Sequence, residues 1–251
     1  MLTHESRVAA RSKSKSVAEQ WFYVSVTMFV ILVNVVAFSP SLMNASTRTV
    51  PLPLTSIDLA HSLVSVTWLL IFLAQVTLVA AGRRAAHRQL GLFGVLLSAA
   101  FIVVTWLMLV EGARRGFDLS GALVPRGTSV DPGTFLAPAG SLIPLAAFVA
   151  AAVWYRQRPA LHKRLMILAL LTSMGAPIAH VVGQWPAFGS YALAGGTFIF
   201  FLPAIRDWVW EHRIHPVSLW GATFSLLWTS VFLIVFAPTV VWRNFAEWVV
   251  R

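Results

Sequence analysis

No cysteine occurs in this chain of 251 residues. That absence excludes disulfide bridges, thiolate metal sites, iron–sulfur clusters and cysteine nucleophiles together. Charge is scarce as well, at 11% of residues, where a soluble domain carries about a quarter. There is no glycine-rich phosphate-binding loop, no His-Glu-x-x-His and no serine in a nucleophile turn. ATP-driven work within the chain and Ser-His-Asp catalysis therefore have no sequence support. Broken-helix transporter repeats are not evident either, since Pro177 and the Gly195-Gly196 pair are interruptions common in membrane helices.

What fills the space is apolar. Hydrophobic residues make up 58% of the chain and mean hydropathy is +0.76. Runs of about 20 apolar residues recur, each long enough at 1.5 Å per residue to cross a hydrocarbon core of about 30 Å. Backbone polar groups cannot stay unpaired in lipid, so these runs must be helices. The expected fold is all-α, a polytopic transmembrane bundle of seven spans near 20–39, 58–81, 89–111, 135–155, 164–183, 190–208 and 216–241. A basic tail over 1–19 precedes a single membrane domain over 20–251. The first run is too long for a signal-peptide core and no small-residue cleavage site follows it, so it is expected to stay as the first helix.

Three times an apolar run ends in a short basic loop and the next begins at or near a histidine: Gly82–Arg88, Arg156–Arg164 and Arg206–His215. With the N-terminus inside, the inner segments hold 13 Lys and Arg and the outer segments six; with acids counted, the balance is +9 against +1. That asymmetry predicts N-in, C-out. The net charge of +10 is thereby explained by topology, with no nucleic-acid partner implied. Trp21, Trp154, Trp208, Trp210 and Trp220 fall near the inner interface, and Trp185, Trp242 and Trp248 near the outer one, the depth that amphipathic rings favour. Trp68, Trp106 and Trp228 lie mid-span and are expected inside the bundle. Short inner loops make helices 2/3, 4/5 and 6/7 antiparallel neighbours, an extra first helix followed by three hairpins.

Two layers carry ionisable groups. The inner layer has His87, His162 and His215 at helix starts, with Asp207 and His212 close by. Three imidazoles and a carboxylate are the donors of a zinc or iron site. Arg83, Arg84, Arg88, Arg156, Arg158, Lys163 and Arg164 share that depth, and such positive charge favours anionic lipid headgroups on the cytoplasmic side over a cation. The outer layer has Asp58 and His61, three apart on one helix face, with Glu111, His180 and Gln184 at similar depth. Asp58, His61, Glu111 and His180 form the candidate set for a divalent metal or a proton relay.

Helical period links these positions. His61, Ser65, Trp68 and Gln75 make one stripe on helix 2, expected to face the bundle. His162 and His180 are 18 residues apart, five turns, so they project from one face about 27 Å apart, with Pro177 placed to kink the helix between them. With His61 above and His87 below, a pair of histidines at each membrane edge could hold haem b and carry electrons across the bilayer. The alternative for all these residues is interhelical hydrogen bonding and an interfacial belt.

The strings His87–Gly94 (HRQLGLFG), His162–Met166 (HKRLM) and His215–Gly221 (HPVSLWG), with the helix-2 run from His61 to Arg84, resemble a broad family of uncharacterised bacterial seven-span inner-membrane proteins. That resemblance covers most of the chain after helix 1 and implies a multi-pass protein of the bacterial inner membrane. A looser similarity to cytochrome b561-type bundles lies in histidines at both edges of antiparallel helices. Three functions follow as expectations: a membrane redox protein with a His-ligated haem b or metal on His61, His180, His87 and His162; a non-enzymatic module that binds lipid or another apolar ligand, or assembles with partner membrane proteins; and a metal-dependent membrane hydrolase.

Overall fold

The apolar runs close their own backbone hydrogen bonds as helices, and the short polar breaks between them supply the caps. A computed structural model describes residues 4–43, 54–116, 131–185 and 195–251, and no strand occurs among them. Helix α1 spans His4–Met43 and passes into the apolar run Glu19–Pro40. Helix α2 (Ser56–Ala80) starts on a capping box: Thr55 Oγ1 accepts from the Asp58 amide, and the Asp58 carboxylate accepts from the Thr55 amide at 2.8 Å. Gly82 turns the chain at φ +73° into α3 (Arg84–Arg115), which ends on Gly116, also at φ +73°. Both positions need the left-handed backbone that costs glycine least.

The next two spans are broken where proline and glycine dictate. Helix α4 (Pro132–Leu136), a 3₁₀ turn (Ala137–Ser141) and α5 (Leu142–Trp154) run on as one apolar stretch, Pro132–Trp154. Helices α6 (Pro159–Thr172) and α7 (Gly175–Gln184) make another, Pro159–Gln184. The break at Ser173 and Met174 sits where Pro177 expects it, because proline has no N–H for the carbonyl four residues earlier. His162 and His180 thus belong to two helices, with the expected break between them.

Residues 195–199 form α8, followed by α9 (Leu202–Glu211), α10 (Pro216–Val231), a π-helical turn (Phe232–Phe236) and α11 (Val240–Val250). Six helical stretches among the described residues are long and apolar enough to cross a membrane. Residues 190–194 of the expected span at 190–208 lie outside the described residues, and its remainder is α8, a turn at 200–201 and part of α9. The last span ends at Phe236 and not at 241. Pro238 cannot continue the helix, and Thr239 caps α11 by accepting from the Trp242 amide at 3.2 Å.

Helix α2 packs on α3, α5 on α6 and α9 on α10, while α1 lies against α2, α6 and α7. The centre is α5 to α7, where residues 167–171 are buried without interruption. Leu59, Leu63, Val66 and Leu70 on α2, with Leu92, Leu96, Val103 and Leu107 on α3, are exposed. Water would not tolerate that continuous apolar surface on a monomer; hydrocarbon solvates it. The helix-2 stripe does face a neighbour: Trp68 Nε1 donates to Ser98 Oγ at 2.9 Å, His61 Nδ1 lies 3.4 Å from Thr105 Oγ1, and Gln75 meets the first turns of α3. Trp242 departs from its expected interfacial place. It is buried, and its indole donates to Gly133 O at 2.8 Å.

Candidate functional site

At the end that carries the basic loops, the most deeply placed charge is Asp207, which is fully buried on α9. An acid there must be paired, because an isolated carboxylate in an apolar interior is prohibitively costly. Arg164 supplies the main partner, forking onto both carboxylate oxygens at 3.0 and 2.6 Å, the bidentate geometry guanidinium suits best. Arg206 at 2.7 Å, the Ser218 hydroxyl at 2.6 Å and the His215 amide at 3.3 Å complete the set. Glu211 also accepts from Arg164 and Arg206, while Glu19 on α1 bridges Arg206 and Lys163. Three cations and three acids cancel, so the cluster fastens α1, α6, α9 and α10 without a net field for a further ion.

Arg164 corrects an expectation. Placed by its loop among the headgroup contacts, it is only 2% exposed, and its guanidinium is used on Asp207. The sequence signal that pointed here was Asp207 itself, an acid in an apolar run that required a basic partner. Arg83, Arg84, Arg88, Arg156 and Arg158 are exposed, whereas Lys163 is half-buried on Glu19. His215 caps α10, with its ring Nδ1 accepting from the Val217 amide at 3.2 Å. Burial, and then the nearby Arg164 charge, hold that imidazole below its ordinary pKa.

Beside this cluster two predicted histidines meet. His87 in the first turn of α3 and His162 in the first turn of α6 have ring centroids 6.3 Å apart at 76°. His162 Nδ1 donates to Ala152 O at 2.8 Å, which leaves Nε2 on the other side of the ring for a further partner. The Gln75 amide lies against His87: turned to satisfy both its groups, it donates to Nδ1 at 2.6 Å and to the backbone carbonyl at 3.1 Å, and accepts from the Gly91 amide at 3.1 Å. Gly91 and Gly94 of α3 lie beside that side chain, where an added Cβ would make ordinary contact with it at 3.7 Å.

The opposite end does not assemble its predicted set. Asp58 is committed to the α2 cap and to Arg115 at 3.2 Å. His61 lies against Ser65, Thr105 and the Phe101 ring. His180 is buried beside Phe38 of α1, and Gln184 donates to Ala37 O at 2.6 Å. Glu111 lies one turn before Arg115 on α3. Among the described residues, no three His, Asp or Glu side chains converge as a metal site. His61 and His180 thus pack on different helices, and each has its own local partners.

Six apolar helical stretches among the described residues, two of them forming the central hairpin, with buried charges paired inside and leucines outside, make a helical membrane bundle. Compared with known protein families, curated proteins and solved structures, the chain has no match.

Proposed function

We propose that this chain is a seven-span, N-in/C-out protein of the bacterial inner membrane, akin to the seven-span family its turn motifs resemble, and that it is a redox protein holding haem b between His87 and His162. The observation that carries this reading is the close approach of the two imidazoles. At 6.3 Å between ring centroids, His87 and His162 are near enough that they would be the two protein ligands of one iron were haem bound. A haem iron takes its remaining ligands from the porphyrin, so two protein ligands suffice. A zinc ion would want three or four, which favours haem over a bare divalent ion.

Each ring also has an outer partner that would set its tautomer. Ala152 O already holds the Nδ1 proton of His162, the arrangement that raises ligand basicity. Gln75 donates to His87 Nδ1 and accepts from the Gly91 amide; ligation through His87 Nε2 would require the ring proton to move to Nδ1 and this amide to give up those bonds. When bound, haem would supply one-electron transfer; the chain contributes the two imidazoles and the partners that orient them.

The full chain purified in detergent from a haem-replete host should show a Soret band and a reduced-minus-oxidised difference spectrum. Both should disappear in His87→Ala and in His162→Ala and persist in His61→Ala and His180→Ala. Colourless wild-type protein, or a spectrum that survives both inner substitutions, would falsify the assignment.

A further inference from the structure

An open apolar groove of about 400 Å³ runs between α3 and α5. Each helix gives it one stripe. On α3 the wall is Val95, Ala99 and Ile102, at offsets of four and three residues and so on one face. On α5 it is Ala146, Ala150 and Trp154, each four residues from the last, with Arg156 at the end. Alanine at the centre of both stripes is what makes a channel here, since larger residues would close it. The α3 wall spans about 10 Å along the helix axis.

The groove is polar at one end only. Trp154 is 80% exposed, as an interfacial indole would be. Arg156 is exposed, and its guanidinium is held by a hydrogen bond to Val153 O at 3.3 Å. Arg88, also exposed, lies seven residues before Val95 and continues the α3 stripe toward the same end. No acid lines the groove. An apolar channel with Arg156 at its mouth, and Arg88 further along the α3 stripe on that side, complements an amphiphile with a long apolar tail and an anionic head.

We infer that the α3–α5 groove is a binding site for one anionic phospholipid, its acyl chain along Ala99 and Ala150 and its phosphate between Arg156 and Arg88. This goes beyond a general charge belt, because it requires one position and one register. It stands independently of the haem reading: none of the residues named here is part of the His87–His162 pair.

Delipidated full-length protein would be titrated with dioleoyl phosphatidylglycerol or dioleoyl phosphatidylcholine in detergent, and retained lipid counted by native mass spectrometry. The wild type should keep one phosphatidylglycerol and release phosphatidylcholine. Arg156→Gln should weaken retention about fivefold, the effect of one basic residue near an anionic surface, and Ala150→Leu should abolish it by filling the channel. Arg158→Gln, whose guanidinium stacks on Tyr155 away from the groove, should behave as wild type. Melting temperatures keep loss of fold apart from loss of site, and Ala99→Leu on the facing helix repeats the filling test. Equal retention of both lipids, retention unchanged in both Arg156→Gln and Ala150→Leu, or equal loss in Arg158→Gln would each overturn the site.

Discussion

At the scale of single residues, the fold depends on charges that never reach solvent. Removing one partner of a buried ion pair leaves the other charge uncompensated, at a cost of roughly 3–5 kcal/mol. Asp207→Asn should therefore destabilise the protein by about that much, seen as a large fall in melting temperature in detergent. Replacing both ends, Arg164→Met with Asp207→Leu, should cost far less, because no buried charge is then left unpaired. If the double variant melts as low as the single one, the pair is not what holds α6 to α9. Asp58 teaches a related lesson. Its spacing from Thr55 already spelled a capping box, a local role that is readable in four residues and competes with metal ligation.

At the scale of elements, small residues decide how closely helices approach. A Cβ on Gly140 would fall 2.3 Å from the Phe232 ring, and Trp228 donates to the Gly140 carbonyl at 2.8 Å. Gly140→Ala should force the 3₁₀ turn and the end of α10 apart, costing about 1–3 kcal/mol, measurable by thermal unfolding. Gln75 joins α2 to α3 by an interhelical hydrogen bond. Such bonds in membranes are worth about 0.6 kcal/mol on average, so Gln75→Leu should leave the fold nearly intact. The same change should shift the pH dependence and potential of any centre on His87, since the ring loses its Nδ1 partner; an unchanged potential would argue against that role. Periodicity foretold the α2 stripe correctly because each of its residues looks toward one neighbour. Between His162 and His180 the five-turn spacing does not run through one unbroken helix, because the chain breaks at Ser173 and Met174, just ahead of Pro177.

At the scale of the whole molecule, the absence of cysteine offers a direct test of topology. Single cysteines can be placed without background. For the N-in, C-out arrangement, Ala85→Cys in the first basic turn should resist a membrane-impermeant maleimide in intact cells and react after permeabilisation. Arg251→Cys at the C-terminus should react in intact cells. The opposite pattern inverts the bundle, and equal labelling of both positions would place an even number of spans between them. The exposed leucines of α2 and α3 set a second expectation, that the protein aggregates on detergent removal unless lipid is supplied.

Much was readable from composition and order alone. Apolar length required helices, since lipid leaves the backbone no other partner, and the basic turns at Gly82–Arg88 and Arg156–Arg164 marked where hairpins close. These features are local, so neighbours in sequence suffice to define them. Which side chains meet across helices is a different matter. His87 with His162, Arg164 with Asp207 and the groove between Val95 and Ala150 join residues that are far apart in the chain, and only the packing of α3, α5, α6 and α9 brings them together. The sequence by itself determined that this chain belongs in a membrane as helices; tertiary structure decided that Arg164 is buried against Asp207 and that His87 and His162 come within 6.3 Å of each other.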